Sequence, residues 1–545
     1  MVHDEHRLEL TAAAGDHGST ARADRRRGGV GHLRAASLPA SLLQAVFWLL
    51  LSALLLIPIL LFLIAAFSPA LFGQGASWLT VAPFVEALQG PTLQGLADSL
   101  VVGIVSAGGA VAMALILAWL TQRTNLFGRR LWTVLVWVLL LAPSFLTSLG
   151  WERLLEPDGL LSQLGVQDQG LRTLFFGPLG VIVLLAIKGI PFAYLAVSAA
   201  LGAVGREFED AVRVHGGGRR QALTVVLRLL MPAIWSGFAI VFAEAISDFG
   251  VASTIAATAR FPVATTTLYD AVDNFPANFP VAAVVGWLLV AAAGLALLGQ
   301  ALALRNRSYQ VLSGRTRPGA RTQLSRTAQA TWIAIVGAVS ASLQSGSGKV
   351  VRLSASNYTN LLAHPGPLGP LQLSGGLAAV AATLSIVVSA AIARALTARR
   401  GGVLARALDW TLLAAVGLPG IVLGAGYIFA YNLPFWQAVG LPLYGTLFLL
   451  GMAYVANSLP SATRLLVGPM AQFQRTLQDA ARVHGIGAAR AWLSIVLPLL
   501  SRSLLWAWIF GFTGIVFELP LSQLLYPSNQ EPLSVAITHA LATYD

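Results

Sequence analysis

The sequence predicts an all-α polytopic membrane protein, built as two parallel repeated helical bundles of about six spans each, with the last span of the second bundle missing. Only 11% of the 545 residues are charged, 56% are hydrophobic, and the mean hydropathy is +0.72. Soluble domains carry about a quarter charged residues, so lipid must be the main solvent of this chain. Long apolar stretches recur along it, and one polar phrase between them occurs twice.

Cysteine is absent from the chain, which excludes disulfides, thiolate metal sites and cysteine nucleophiles. The net charge of +12 would suit a nucleic-acid-binding protein. The positive residues instead lie between apolar stretches, where they indicate membrane topology. Composition therefore predicts membrane lipid, and not nucleic acid, as a partner.

Eleven apolar stretches are long enough to be membrane helices, which need about 20 residues each. No alternating strand pattern competes with them. The predicted spans are 44–67, 97–120, 131–151, 177–203, 232–256, 280–303, 329–345, 374–397, 408–431, 443–467 and 494–520.

Arginine sets the predicted orientation. With the N-terminal tail inside and the spans alternating, the inside loops collect the arginine-rich segments 206–228, 305–326 and 464–502. The residues left in the outside loops are Arg153, Arg172, Arg260, Lys349 and Arg352. This positive-inside asymmetry predicts a multi-pass membrane protein with its N-terminus and both copies of the repeated phrase in the cytoplasm.

The predicted domain organisation follows from composition and from the duplication. Residues 1–40 form a disordered basic cytoplasmic tail, 41–304 the first repeat, 305–328 a cytoplasmic linker with no apolar periodicity, and 329–545 the second repeat. The sixth span starts shortly after Phe275, whose equivalent in the second repeat is the last residue, Asp545. We therefore expect a truncated second repeat, the alternative being a repeat of five spans.

The repeated phrase runs from Asp210 to Gly216 and again from Asp479 to Gly485, with six of seven positions identical. A short helix that ends at glycine can turn back, because glycine accepts the left-handed conformation. Small alanines within the phrase would let a partner surface approach closely. A solvated loop with an Asp–Arg ion pair three residues apart would explain one copy, but not its repetition. The repetition favours docking points for a partner outside the membrane. We assign no proton chemistry to the two histidines of the phrase.

The phrase, followed by a turn and a helix that reaches a proline, resembles the EAA loop of the permease subunits of binding-protein-dependent ABC importers. The second copy keeps the spacing, with Leu497-Pro498, whereas the first reads Leu227-Arg228-Leu229 at that point. Both copies carry Asp in place of the usual Glu. The resemblance implies that each loop sits in a cleft of one ATPase subunit, so two loops imply two copies of the ATPase. It assigns docking to Asp210, Ala211, Arg213, Gly216, Asp479, Ala480, Ala481, Arg482 and Gly485.

The same resemblance implies a location in the bacterial inner membrane and a periplasmic solute-binding protein as a second partner. It also implies that the chain itself binds no cofactor, because the partner subunits use the ATP. Single-chain permeases with two such loops are similar to importers of iron(III), thiamine and aminoethylphosphonate. The phrases at 246–250, 261–265 and 517–527 look like the iron(III) branch, although aminoethylphosphonate members are hard to separate on them.

Four charged residues are candidates for the substrate pathway. Asp248 and Glu518 lie near the outer ends of equivalent spans, where each could face a cationic substrate or cap a turn. Glu244 and Lys188 are predicted to lie deeper. Lys188 precedes Gly189 and a proline, so we expect it to mark a break in its helix and to pair with an acid. No metal site is predicted.

Sequence motifs for catalysis are missing. The segment Gly346–Lys349 lacks the glycine spacing and the following Ser or Thr of a phosphate-binding loop, so the chain is not predicted to be an enzyme. An ion-coupled secondary transporter is the alternative, and it would need no ATPase. A membrane-embedded enzyme would show clustered catalytic residues at one interface. The paired loops favour the ABC importer permease.

Overall fold

The computed structural model describes most of the chain between Ala40 and Ala542. The described residues are 40–73, 75–124, 128–155, 162, 169–205, 207–305, 344–345, 352–353, 365–398, 408–409, 411–412, 415, 418–472, 481 and 483–542. The predicted tail, the predicted linker and most of the seventh predicted span, 329–343, lie outside them. Residues 50–545 form one compact unit, and residues 1–49 form another.

Helices dominate the first half. The first span is α1 (Ala40–Leu51), a π-helical turn (Ser52–Leu56) and α2 (Ile57–Ala65), followed by a 3₁₀ turn at Pro69–Phe72. Next come α3 (Ala82–Ala87), α4 (Gly90–Arg123), α5 (Arg129–Leu141), α6 (Ser144–Leu155), α7 (Gln169–Phe175) and α8 (Pro178–Ala203). After these come α9 (Glu207–Val214), α10 (Arg219–Ser247), a π-turn (Ala252–Ala256), α11 (Ala264–Asp273) and α12 (Phe279–Arg305).

The second half begins with two short antiparallel strands, β1 (Gln344–Ser345) and β2 (Arg352–Leu353), paired Gln344 to Leu353. Its helices are α13 (Pro365–Ala398), α14 (Gly420–Tyr431), α15 (Pro434–Ala438), α16 (Leu447–Gln472) and α17 (Ala488–Ala491). A π-turn (Trp492–Val496), α18 (Leu497–Val516), α19 (Pro520–Leu525) and α20 (Leu533–Ala542) complete the described chain.

Seven described helices are long and apolar enough to cross a membrane, and an eighth span is possible if the bent pair α5–α6 counts as one. They confirm the all-α polytopic fold. The predicted spans 177–203 and 280–303 agree with α8 and α12 to within two residues, and the predicted span 443–467 corresponds to the 26-residue α16. The predicted spans 97–120 and 374–397 lie inside the longer helices α4 and α13, and the predicted spans 44–67 and 494–520 each include a π-helical turn. The predicted span 232–256 is misplaced, because α10 begins at Arg219 and ends at Ser247, before an extended Asp248. The predicted end of the seventh span is wrong, because Gln344 and Ser345 lie in β1.

The predicted span 131–151 is not straight. Helices α5 and α6 meet at an angle of 107°. The break lies at Ala142-Pro143, where Ala142 has an extended backbone (φ −70°, ψ 124°). A residue before proline is driven out of the helical region by contact with the proline ring, so the sequence itself ends α5 there. In the span predicted at 408–431, the described helix is α14, only 12 residues long.

The helix bounds repeat along the chain. Helices α8, α10 and α11 start at Pro178, Arg219 and Ala264, and their counterparts α16, α17 and α20 start at Leu447, Ala488 and Leu533. Each pair is separated by the same distance along the chain as Gly216 and Gly485, which we call the repeat offset.

Hydrogen bonds repeat as well. The Ser99 hydroxyl accepts the backbone N–H of Ala264 (2.7 Å), and the Ser374 hydroxyl accepts that of Leu533 (2.8 Å). In each half, this bond joins the start of a short helix to a long membrane helix. The two halves therefore share one internal fold, with helices in the same order.

The two halves also interlock. Helix α14 of the second half packs on α2 of the first, so closely that a Cβ at Gly426 would lie 2.8 Å from the carbonyl oxygen of Pro58. The Tyr427 hydroxyl donates to the carbonyl of Leu54 (2.7 Å). Because Pro58 has no N–H, the Leu54 carbonyl one turn earlier lacks its helical partner. The tyrosine supplies that partner, and it fixes α14 against the first span.

Candidate functional site

The first copy of the repeated phrase forms a short exposed helix with a glycine end. Helix α9 stops at Val214, and Gly216 follows with φ +78°. The N–H of Gly217 donates to the carbonyl of Val212 (2.8 Å), which closes the turn expected at a glycine-terminated helix. Asp210 and Arg213 lie 3.7 Å apart, and both are more than half exposed. Such an exposed pair contributes a few tenths of a kcal/mol at most, so it leaves both side chains available to a partner.

The second copy forms the same turn. Gly485 has φ +74°, and the N–H of Ile486 donates to the carbonyl of Ala481 (2.9 Å). These three residues are the equivalents, at the repeat offset, of the three that form the first turn. Ala481 is buried, and its equivalent in the first copy, Val212, is half-buried, whereas the predicted docking residue Ala211 is exposed. The other predicted docking residues of this copy, Asp479, Ala480 and Arg482, lie outside the described residues.

An apolar side chain stands out in each loop, and the sequence prediction missed it. Val214 is 84% exposed and Val483 is 85% exposed, at equivalent positions. An isolated exposed valine needs no explanation, but a matched pair within a repeated phrase does. The signal was present in the sequence, since both copies read Val-His-Gly before the turn. Each loop therefore offers an apolar contact next to its polar residues.

The first loop is anchored to the membrane helices by an arginine. Arg123, at the end of α4, is 5% exposed and donates to the carbonyl of Val204, the residue that follows α8. The neighbouring Gln122 amide donates to the carbonyl of Ser198 (2.8 Å). A cation at a helix C-terminus also interacts favourably with the helix dipole. These bonds hold the start of the first loop to α4.

A cavity of about 390 Å³ lies between the two halves, within the unit formed by residues 50–545. Both halves contribute equivalent segments to it. The turn at Pro143 faces it from the first half and the turn at Pro419 from the second. The charged side chains that line it are Lys188, Glu244, Asp248 and Glu518. The structure thus brings all four predicted pathway residues together around one cavity, with three carboxylates and one ammonium group.

Asp248 and Glu518 both cap short helical turns, which was one of the two roles that the sequence left open. An Asp248 carboxylate oxygen accepts the N–H of Val251 (2.7 Å). Both Glu518 oxygens accept the N–H of Leu521 (3.0 and 2.9 Å), and one also accepts that of Ser522 (3.0 Å). Carboxylates at the start of a helix satisfy N–H groups that have no helical partner. The two acids therefore hold equivalent turns at the cavity wall.

Lys188 does not mark a helix break, contrary to the sequence prediction. Helix α8 continues through it from Pro178 to Ala203. The glycine beside it serves packing instead, because a Cβ at Gly189 would lie 2.3 Å from a Val241 methyl group. The Lys188 ammonium donates to the carbonyl of Ala142 (3.1 Å), at the end of α5. Lysine thus stabilises the break in the neighbouring α5–α6 pair, where a carbonyl at a helix C-terminus needs a donor.

Glu244 lies on α10, one turn before Asp248, and its side chain is exposed to the cavity. Among the described residues it has neither a hydrogen bond nor an ion pair within 4 Å. Asn457 and Thr513 are among the cavity residues that the sequence prediction missed. At the repeat offset, Asn457 is the equivalent of Lys188, and Thr513 is the equivalent of Glu244. The repeat offset alone could have found them.

Known proteins match this chain on both halves. Residues 110–317 match the family of binding-protein-dependent transport system inner membrane components. A putative ferric transport system permease protein of Haemophilus influenzae is 26% identical over 75% of the chain, and a ferric transport system permease protein of Actinobacillus pleuropneumoniae is 25% identical over 75%. The matches span 66% and 61% of the length of those two proteins.

A probable molybdenum ABC transporter permease protein of Haloferax volcanii is 30% identical over 45% of the chain and 88% of its own length. The glycine-ended loops, the multi-span helical fold and these matches agree with one another. The chain belongs to the binding-protein-dependent family of ABC transporter permeases.

Proposed function

We propose that this chain forms the translocation pathway of an ABC importer and is driven by two separate ATPase subunits, one on each glycine-ended loop. The matched loops carry the proposal, because the same turn, the same left-handed glycine and an equally exposed valine occur in both halves. A helix that packs into a partner groove is a recurrent mode of recognition. Two equivalent loops fit two copies of one ATPase. A periplasmic binding protein delivers the substrate in this proposal.

Iron(III) is the substrate that we propose. Two relatives named as ferric transport permeases match three quarters of the chain. The cavity adds independent support, because its lining has three carboxylates against one lysine. Such an excess of negative charge attracts a cation, and the low-dielectric walls of a cleft strengthen the field.

The test replaces the exposed valine of each loop by glutamate. Because Val214 and Val483 are almost fully exposed, the folded chain can accept the charge, whereas a buried apolar contact with an ATPase cannot. We expect wild type to bind two ATPase copies, each single variant to bind one, and the double variant to bind none. Radioactive iron uptake into proteoliposomes should require ATP and the binding protein. Retention of two ATPase copies by the double variant would refute docking at these loops.

An ion-coupled secondary transporter is the second candidate, because ionisable side chains such as Lys188 and Glu244 lie on membrane helices. It predicts uptake by the chain alone, driven by a proton or sodium gradient. Uptake that stops when the ATPase is omitted, at a constant ion gradient, would exclude it.

A further inference from the structure

The cavity is symmetric in fold but not in charge. Across the two halves, Lys188 is matched by Asn457, and Glu244 is matched by Thr513. At these two positions the first half has charged side chains and the second half has neutral ones. Asp248 and Glu518, which lie one residue away from the repeat offset, place a carboxylate on both sides. Lys188 has a structural bond to the Ala142 carbonyl, whereas no hydrogen bond or ion pair within the described residues gives Glu244 a structural role.

The carboxylates differ in how far their oxygens are already engaged. Glu518 is only 8% exposed, and both of its oxygens accept backbone N–H groups. Asp248 has one oxygen engaged in the same way. Glu244 is exposed to the cavity and, within the described part of the chain, has no hydrogen-bond donor. It is the acid whose charge and lone pairs remain available to a ligand.

The lysine is held away from a tight pairing with this glutamate. Its ammonium is bonded to the Ala142 carbonyl, and no Lys188–Glu244 ion pair within 4 Å exists among the described residues. Lys188 thus balances part of the negative charge while leaving the face of Glu244 open to the cavity.

We propose that Glu244 is the residue by which this cavity binds and selects a positively charged substrate, whereas Asp248 and Glu518 are structural caps. The proposal rests on the proposed transport function and assigns its charge selectivity to one side chain. Within the described residues, no group of three or more His, Asp or Glu side chains could hold a metal ion. A cation at Glu244 therefore keeps its own water or ligand shell, and the contact is a single charge-assisted one. Such a contact can be released again, as transport requires.

The first experiment measures cation binding without transport. The full chain, in nanodiscs of neutral lipid, is titrated with terbium(III), a luminescent trivalent cation that prefers oxygen ligands. Glu244→Gln keeps the shape of the side chain and removes its charge, and we expect at least a tenfold weaker cavity-site affinity, because the charge-assisted hydrogen bond to the cation's ligand shell is lost. Thr513→Val, at the symmetric position, is the matched control and should bind as wild type does. Glu244→Asp should retain most of the affinity.

The second experiment asks whether the position or only the charge matters. The double variant Glu244→Thr with Thr513→Glu moves the carboxylate to the other half, and we expect it to recover terbium binding. In the complex with ATPase and binding protein, Glu244→Gln should reduce iron uptake at least tenfold while ATPase association and the thermal midpoint stay at wild-type values.

The outcomes separate this proposal from the transport function. Wild-type terbium binding by Glu244→Gln would overturn the assignment, even if iron uptake requires ATP. A lower thermal midpoint for Glu244→Gln, with unchanged binding by the folded fraction, would show a structural role and would also overturn it. Absence of ATP-driven uptake by wild type would contradict the proposed function, while the terbium titration would still test the site.

Discussion

Alanine in place of the left-handed glycine of either loop should weaken ATPase binding. At Gly216 (φ +78°) and Gly485 (φ +74°), an added Cβ would meet no atom within 4 Å. Alanine there therefore creates no collision with the rest of the protein, and its whole effect is on the backbone. The left-handed conformation costs a residue with a Cβ roughly 1–2 kcal/mol. That cost lowers the population of the turn about five- to thirty-fold relative to competing conformations.

The chain supplies a matched control for each loop. Gly218 and Gly487 are equivalent positions just beyond each turn, and neither has a positive φ. Alanine at these positions should cost little, because a Cβ at Gly487 would meet no atom within 4 Å and one at Gly218 would lie 3.3 Å from Oε1 of Gln221, the end of a flexible side chain. The Gly216→Ala variant should therefore bind the ATPase more weakly than Gly218→Ala, by up to the same five- to thirty-fold.

The assay is titration of the detergent-solubilised chain with labelled ATPase, with one loop varied and the other disabled by the valine-to-glutamate change. The thermal midpoint of each variant shows whether the membrane helices remain folded. Equal affinity for the Gly216→Ala and Gly218→Ala chains would refute the reasoning, since it would mean that the left-handed turn is not part of the docking surface.

Three further predictions concern stability and coupling. Ser99→Ala and Ser374→Ala each leave one N–H at the start of a helix without its acceptor. Each should lower the free energy of unfolding by about 1 kcal/mol, and the double variant should lower it by about twice that, as measured by reversible unfolding. A clear loss for only one of the two single variants would contradict the structural repeat. Tyr427→Phe removes the donor to the unpaired carbonyl of the first span and should lower stability by about 0.6–2 kcal/mol, whereas an unchanged unfolding curve would show that the bond contributes nothing. Arg123→Met keeps the bulk of the side chain but removes the bond to the Val204 carbonyl, and we expect ATP hydrolysis to continue while transported substrate per ATP falls; an unchanged ratio would argue against anchoring of the first loop.

The duplication could be recognised from the sequence alone. The repeat offset, read from the two copies of the phrase, agrees with the helix bounds of α8, α10 and α11 and their counterparts. Hydropathy and repeats are local or periodic features of a sequence, so they can be recognised without knowing which helices contact each other. The same reasoning misplaced the break near Lys188. Gly189 and Pro191 resemble a break locally, but the glycine is required by a neighbouring helix, and that helix is far away in sequence.

By itself, the sequence determined the all-α membrane fold, the two equivalent halves and the glycine-ended loops, because each depends on composition, span length or the conformational preference of a single residue. Only the tertiary structure decided that the four charged candidates line one cavity, and that Asp248 and Glu518 cap turns while Glu244 remains open. The physical reason is that the hydrogen bonds of a carboxylate depend on which backbone groups reach it. The cavity walls join segments from opposite halves of the chain, such as Pro143 and Pro419, and no local pattern encodes their meeting.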